Sequence, residues 1–191
     1  GILKSLEKIY GIEDLIRGFA LFVQRAVIQG AKRSKLHLKI YGTGSQLELL
    51  QKLAEEERVG EMVEFMGFIV NEKVPQEIAK MDVVCLPSLH ESFGVAAIEA
   101  MACGVPVVTS DADGFKETVV DGQTGFLVPK QDPIAIGDKI WLLYQNPQLR
   151  KKMGDAGREY VQKMFDWDQN VKTLEEVLKS VVPSGTEGDL S

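Results

Sequence analysis

Residues 82–109 read DVVCLPSLHESFGVAAIEAMACGVPVVT, a stretch that contains a strand, a loop, a helix and a second strand. The apolar run at 82–87 is typical of a strand covered on both faces of its sheet. A helix of small residues is predicted for 94–103, where Gly104 ends it, and another apolar strand for 105–109. Two strands joined through one helix form a βαβ unit, in which the strands are parallel.

Similar patterns before and after this stretch predict further strands and helices in alternation. Residues 1–3, 36–41, 63–67 and 125–128 read as strands, and helices are predicted for 15–26, 45–54, 71–81, 115–120, 133–145, 147–164 and 167–182. Ser45 and Asn71 are the expected caps of two of these helices. We therefore expect an α/β, Rossmann-like doubly wound parallel sheet of about six strands, with helices on both faces and extra C-terminal helices.

Composition argues against several classes of protein and site. The 191 residues carry a net charge of −6, which does not suit the basic face of a nucleic-acid-binding protein. No apolar run approaches the roughly 20 residues that span a bilayer. Cys85 and Cys103 are expected to be small apolar side chains in a reducing, cytoplasmic compartment. No His, Cys or Asp cluster has metal-ligand spacing, and we expect neither a metal ion nor a cofactor.

The loop after the strand at 82–87 is the strongest candidate site, because doubly wound sheets bind ligands outside the carboxyl ends of their strands. Gly94 permits close approach of the backbone, and the helix that follows presents free N–H groups to an anion such as a phosphate. Glu91 lies just before this helix start. Glu99 lies about two turns into the helix, where a carboxylate can bridge two ribose hydroxyls. Either glutamate alone would more often be a simple solvent-facing residue.

Glu91 and Glu99 are separated by seven residues within PSLHESFGVAAIEAMACGVPVVTSD, residues 87–111. This segment resembles the E-x7-E signature of retaining glycosyltransferases with the GT-B fold, in the large family 4 class (glycosyl transferases group 1). LHLKIYGTG at 36–44 is similar to the family's strand and glycine turn, and VEFMGFI at 63–69 to its nucleobase segment. DGQTGFLVP at 121–129 also resembles the family. The resemblance runs from about residue 3 to residue 182, and the combination is highly specific.

The resemblance implies a role for each matching residue. Glu91 and Lys8 would be the catalytic residues: Glu91 binds hydroxyls of the donor sugar, and Lys8 neutralises the departing diphosphate. Glu99 would hold the ribose. The other implied donor-binding residues are Gly42 and Gly44 in the glycine turn, Phe68 and Ile69 beside the base, and Ser92, Phe93, Gly94 and Val95, whose N–H groups cradle the diphosphate and sugar.

The resemblance also implies that the chain is one half of a GT-B enzyme, inactive alone. Residues 1–165 would be the nucleotide-sugar-binding domain, and residues 166–182 a helix that crosses back to an N-terminal acceptor-binding domain. The polar tail at 183–191 is expected to be disordered. The expected partners are a nucleotide-sugar donor and the missing N-terminal domain, and the resemblance allows the full-length protein to associate with a membrane surface.

Some residues depart from the family pattern and leave alternatives open. Ile2 stands where the family usually has a phosphate-binding Arg, and two residues are inserted between Lys8 and Gly11. Lys4 can supply the missing charge. Ile2 favours a non-catalytic nucleotide-sugar-binding module as an alternative to a transferase. A GT-B nucleotide-sugar epimerase is the third alternative, although the E-x7-E match favours transfer. Nicotinamide binding at the 42–44 glycine turn is disfavoured, because Leu47 occupies the place of the third glycine in G-x-G-x-x-G.

Overall fold

The computed structural model describes residues 1–165, and parallel strands form its centre. They are β1 (Ile2–Leu3), β2 (Leu38–Tyr41), β3 (Val63–Gly67), β4 (Val84–Leu86), β5 (Val107–Ser110) and β6 (Gly125–Val128). Hydrogen bonds pair β1, β2 and β3 in that order in one sheet, and β4, β5 and β6 in a second. Every pairing is parallel, which confirms the predicted α/β class.

The two sheets meet at Gly1. Its carbonyl accepts a hydrogen bond from the Cys85 N–H at 2.9 Å, and its amino group donates to the Val83 carbonyl at 2.8 Å. The strands therefore run across the molecule as β3-β2-β1-β4-β5-β6, the order of a doubly wound fold. The expected single sheet is divided into two three-stranded halves. The reason is that β1 has only two residues, too few to form a regular set of hydrogen bonds with β4.

Seven α-helices cover the strands within residues 1–165. They are α1 (Ile12–Ile28), α2 (Leu47–Glu56), α3 (Val74–Ile78), α4 (Val95–Ala102), α5 (Asp113–Thr118), α6 (Pro133–Gln145) and α7 (Pro147–Met164). The apolar residues that predicted α1 are all buried: Leu15, Ile16, Phe19, Phe22, Val23 and Ala26. No helix in this part of the chain is long and apolar enough to cross a membrane.

Both predicted helix caps are wrong. The N–H and hydroxyl of Ser45 donate to the carboxylate of Glu7, at 2.8 and 2.6 Å, and α2 begins beyond it without a side-chain cap. A hydrogen bond from Ser45 to the charged Glu7 carboxylate is stronger than one with a neutral backbone group at the helix start. Asn71 opens a 3-10 turn (Asn71–Lys73), and α3 follows with Pro75 in its first turn, where a proline has no N–H to be capped. The predicted helix at 167–182 and the tail at 183–191 lie outside the described residues.

Helix α7 packs along α4 at the sheet face. A Cβ on Gly157 would lie 3.1 Å from Met101 Cγ, and one on Gly154 would clash with the carbonyl of Gly104, so glycines allow the close packing. The Arg158 guanidinium donates to the carbonyls of Ala102 and Cys103 at the end of α4, at 3.2 and 2.8 Å. These contacts fix α7 against the carboxyl end of α4.

Candidate functional site

The candidate site lies where the two halves of the strand order meet, between the carboxyl ends of β1 and β4. Lys4 directly follows β1, and Glu91 lies in the loop that joins β4 to α4. Lys4 Nζ lies 2.7 Å from Glu91 Oε2, and the two side chains are only 16% and 10% exposed. A charge-assisted hydrogen bond at this depth fixes both groups in place. The pair therefore connects the ends of two strands that belong to different sheets.

The same glutamate also shapes the start of α4. Its second oxygen, Oε1, accepts a hydrogen bond from the Gly94 N–H at 3.3 Å. Gly94 has φ 85° and ψ 38°, a left-handed conformation that favours glycine, and a Cβ there would press on the Phe115 ring at 2.8 Å. Glu91 thus joins a cation on one side to the turn that opens the helix on the other.

Lys4 is the positive charge at the centre of this site. Its ammonium lies 4.9 Å from the centre of the Tyr10 ring, a cation–π contact in addition to the ion pair. Desolvation raises the pKa of the Glu99 carboxyl, and the charge of Lys4 acts in the opposite direction. Lys4 therefore influences both glutamates of the E-x7-E segment.

The structure places the two expected cations differently. Lys8 lies in an exposed 3-10 turn (Lys8–Tyr10), and within residues 1–165 no hydrogen bond or ion pair joins it to Glu91. The turn itself is near the site, because the Leu89 N–H donates to the Ile9 carbonyl at 2.7 Å. Ile2 is fully buried in the core, so Lys4, two positions later, is the charged residue beyond this strand. Its position just after a strand is the sequence signal that marks it.

The glycine turn after β2 supports the segment that carries Lys4. A Cβ on Gly42 would clash with the Lys4 carbonyl oxygen, and one on Gly44 would lie 2.5 Å from the Leu6 carbonyl oxygen. The Leu6 N–H donates to the Thr43 carbonyl at 2.9 Å, which joins the two segments directly. Both glycines thus allow the turn to pack closely on the backbone of Lys4 and Leu6.

The other sequence-predicted residues lie at the same edge of the sheet. Phe68 follows β3 and is 76% exposed, and the adjoining Ile69 is half-buried. In the β4–α4 loop and the first turn of α4, the exposed residues are His90, Ser92, Phe93 and Val95. These residues leave apolar side chains exposed at the carboxyl ends of β3 and β4.

Two grooves in the described part of the molecule lie away from this edge. A groove of about 400 Å³ lies at the opposite edge, beside the starts of β1, β2 and β4, with Leu36, Met81 and Tyr144 among its lining residues. A shallower groove of about 450 Å³ runs over α7. Among the described residues, no group of three His, Cys, Asp or Glu could hold a metal ion.

Comparison with known proteins shows which family the chain belongs to. The sequence profile described as "Glycosyl transferases group 1" matches residues 2–160. The chain belongs to this glycosyltransferase family. It is 31% identical over 194 residues to D-inositol 3-phosphate glycosyltransferase of Corynebacterium jeikeium, covering 99% of this chain and 45% of that protein. The chain spans less than half the length of the curated relatives that it matches.

Solved structures of glycosyltransferases share the fold. Sucrose-phosphate synthase from Thermosynechococcus elongatus superposes with a TM-score of 0.80 at 29% identity, over 94% of this chain and 44% of that one. Anabaena HepE, in complex with UDP-glucose, superposes with a TM-score of 0.80 at 25% identity, over 95% of this chain and 48% of that one. The group 1 family and the Rossmann-like half of a GT-B fold are thereby confirmed.

Proposed function

We propose that this chain is the donor-binding domain of a retaining glycosyltransferase that uses a nucleoside-diphosphate sugar. The observation that carries the proposal is the buried Lys4–Glu91 ion pair directly in front of the start of α4, in a chain of the group 1 family. The pair combines a cation for phosphate with a carboxylate for sugar hydroxyls. The site residues inferred from sequence keep their proposed roles, and Lys4 is added to them.

The diphosphate is proposed to lie over the first turn of α4. Helix N-termini bind anions because their N–H groups have no partner within the helix, and the helix dipole adds to the attraction. Gly94 lets the ligand approach this backbone closely. The donor loop, defined as residues 88–94, would then present the N–H groups of Ser92 and Phe93, and Val95 adds the next one. The Gly94 N–H joins them when the ligand takes the place of the Glu91 carboxylate.

The proposed chemistry is assisted departure of the diphosphate. The bond between the anomeric carbon and the diphosphate breaks, and its electron pair leaves with the diphosphate. The acceptor hydroxyl oxygen forms the new bond to the anomeric carbon, and its proton passes to the departing diphosphate oxygen. Lys4, Lys8 and the donor loop would stabilise the negative charge that grows on the leaving oxygen, an electrostatic mechanism that needs no metal ion. Glu91 would hold the sugar hydroxyls, and Glu99 the ribose. The acceptor would bind to a second, N-terminal domain, and the location of the protein is proposed to be cytoplasmic.

Binding of nucleotides to the 191-residue chain tests this proposal. UDP is the first probe, because the structure of HepE contains UDP-glucose, and GDP and ADP complete the panel. A ligand at 100 times its dissociation constant should stabilise the fold by about 2.7 kcal/mol, which a thermal-shift assay detects. If no diphosphate nucleotide or nucleotide sugar shifts the melting temperature, the proposal is wrong.

A non-catalytic binding module is the second candidate function. The observation that favours it is that Lys4 is already neutralised by Glu91, which leaves less free positive charge for a leaving group. Transfer by the full-length protein, assayed with the nucleotide sugars that bind, separates the two functions. Turnover establishes the enzyme, whereas tight binding with no turnover on any acceptor supports the module.

A further inference from the structure

An aromatic cluster connects the end of α7 to the donor loop. The Phe93 ring meets the Phe165 ring edge-on, with centroids 5.9 Å apart and an interplanar angle of 86°. Phe165 follows α7 directly and also meets Tyr160, with centroids 6.3 Å apart. Edge-to-face pairs of this kind add to the free energy of simple burial. Phe93 is still 43% exposed, so Phe165 covers one part of a ring that otherwise faces solvent.

The backbone of Phe93 is held from a second direction. A Cβ on Gly114 would lie 2.5 Å from the Phe93 nitrogen and 2.6 Å from the Ser92 carbonyl carbon. The Gly114 N–H donates to the Glu91 carbonyl at 3.0 Å. The start of α5 thus packs on the main chain of the donor loop, while Phe165 packs on its one aromatic side chain.

Helix α7 has the rigidity to act as a support. Its glycines pack closely on α4, and Arg158 bonds the carboxyl end of that helix. Phe165, one turn past Tyr160 and two turns past Arg158, reaches the loop at the opposite end of α4. Helix α7 therefore contacts α4 near one end and the donor loop at the other.

We infer that Phe165 is a positioning residue for the donor loop: its ring holds Phe93, and so keeps the 92–94 backbone in the conformation that binds the diphosphate. This inference rests on the proposed donor site. The effect of the Phe165 ring passes through the Phe93 side chain. The inference assigns a role in ligand binding to Phe165, the residue that directly follows α7.

The test measures UDP affinity of the 191-residue chain by calorimetry, together with hydrogen exchange of the 91–95 amides. Phe165→Ala should weaken UDP binding roughly three- to tenfold, the range expected for loss of one aromatic pair, and should speed exchange in the loop. Phe165→Tyr should restore both. The matched control is Tyr144→Ala, which removes a ring that meets Phe22 and Trp141 on α1 and α6. The control should lower the melting temperature and leave UDP affinity unchanged.

The outcomes separate the inference from the proposed function. If the unaltered chain binds no diphosphate nucleotide, the proposed function fails. If it binds UDP and Phe165→Ala binds UDP equally well, or if Tyr144→Ala weakens binding as much, the positioning role is overturned. Should Phe165→Ala not fold, Phe93→Leu removes the same ring contact and keeps the loop N–H groups. It must then reduce UDP affinity by a similar factor, and unchanged affinity overturns the inference.

Discussion

The ammonium of Lys4 lies 2.7 Å from the carboxylate of Glu91, although 87 positions separate the two residues in the chain. One follows β1 and the other follows β4, the neighbouring strands of the two sheets. The pair brings a cation and a carboxylate to the switch point of the fold, where such sheets bind ligands.

Replacing Lys4 with Met should weaken both the fold and the ligand site. Glu91 would be left largely buried without its cation, which costs about 1–3 kcal/mol in the free energy of unfolding. Loss of a charged phosphate contact should also raise the dissociation constant for UDP by about tenfold or more. Urea denaturation and calorimetry measure the two effects. Lys52→Met, at a lysine that is 79% exposed, is the control and should change stability by less than about 0.5 kcal/mol. Unaltered UDP affinity would remove Lys4 from the site.

The two glutamates should differ in the ligand part that they bind. Glu99→Ala should weaken binding of UDP itself, because Glu99 is proposed to hold the ribose. Glu91→Gln should leave UDP affinity nearly unchanged and reduce the preference among UDP-sugars, because Glu91 is proposed to hold the sugar. Calorimetry with UDP and with two UDP-hexoses measures both. Equal loss of UDP affinity in the two variants would show that these roles are wrongly divided.

The stability of the Glu99→Gln variant should depend on pH in a defined direction. Desolvation raises the pKa of Glu99 in the folded state, so the charged form disfavours folding. The stability that the neutral Glu99 carboxyl contributes is fully present below its unfolded-state pKa. That contribution is lost as pH rises through the raised, folded-state pKa. Glu99→Gln should therefore be more stable than the unaltered chain at pH 7, and the difference should vanish below about pH 4. Melting temperatures from pH 4 to 8 test this, with the exposed Glu159→Gln as control. A constant difference across that range contradicts the prediction.

Gly114→Ala should disrupt the donor loop selectively. The added methyl would lie 2.5–2.7 Å from backbone atoms of Glu91, Ser92 and Phe93, and backbone cannot rotate away as a side chain can. We expect loss of UDP binding beyond what the fall in stability explains. Gly30→Ala is the matched control: its φ of +92° strains an alanine, but nothing lies within 4 Å. Should the two variants bind UDP alike, the loop does not depend on Gly114.

The periodicity of the sequence predicted most of the fold. All six strands fall where apolar runs were noted, and β6, α6 and α7 coincide with the predicted ranges. These elements have strong local signals: period-2 or continuous apolar runs, and prolines at helix starts. The division into two sheets was not predictable, because it depends on the pairing of Gly1 with residues 83 and 85.

The candidate site was predicted in outline from the sequence, and the roles of its residues stay predictions. The E-x7-E segment and the turn at Gly94 follow from local pattern and resemblance. The ion pair of Lys4 with Glu91 does not, because the two residues are 87 positions apart and meet only when β1 and β4 are neighbours. The Gly42 and Gly44 contacts with the Lys4–Leu6 backbone are likewise tertiary, and no spacing along the chain reveals them.

The crossing of α1 and α6 has a consequence for how the molecule unfolds. Helix α1 joins β1 to β2, whereas α6 follows β6, so the two helices belong to opposite halves of the strand order. Their backbones meet at Gly18 and Gly137, and Arg25 bonds Asp138 at 3.1 Å while its guanidinium lies 4.9 Å from the Trp141 ring. The helices thus bridge a junction at which the strands share few hydrogen bonds. Opening either half breaks the contacts between α1 and α6, so the two halves should unfold as one cooperative unit. These contacts join segments over 100 residues apart in the chain, and forming them should make folding slow.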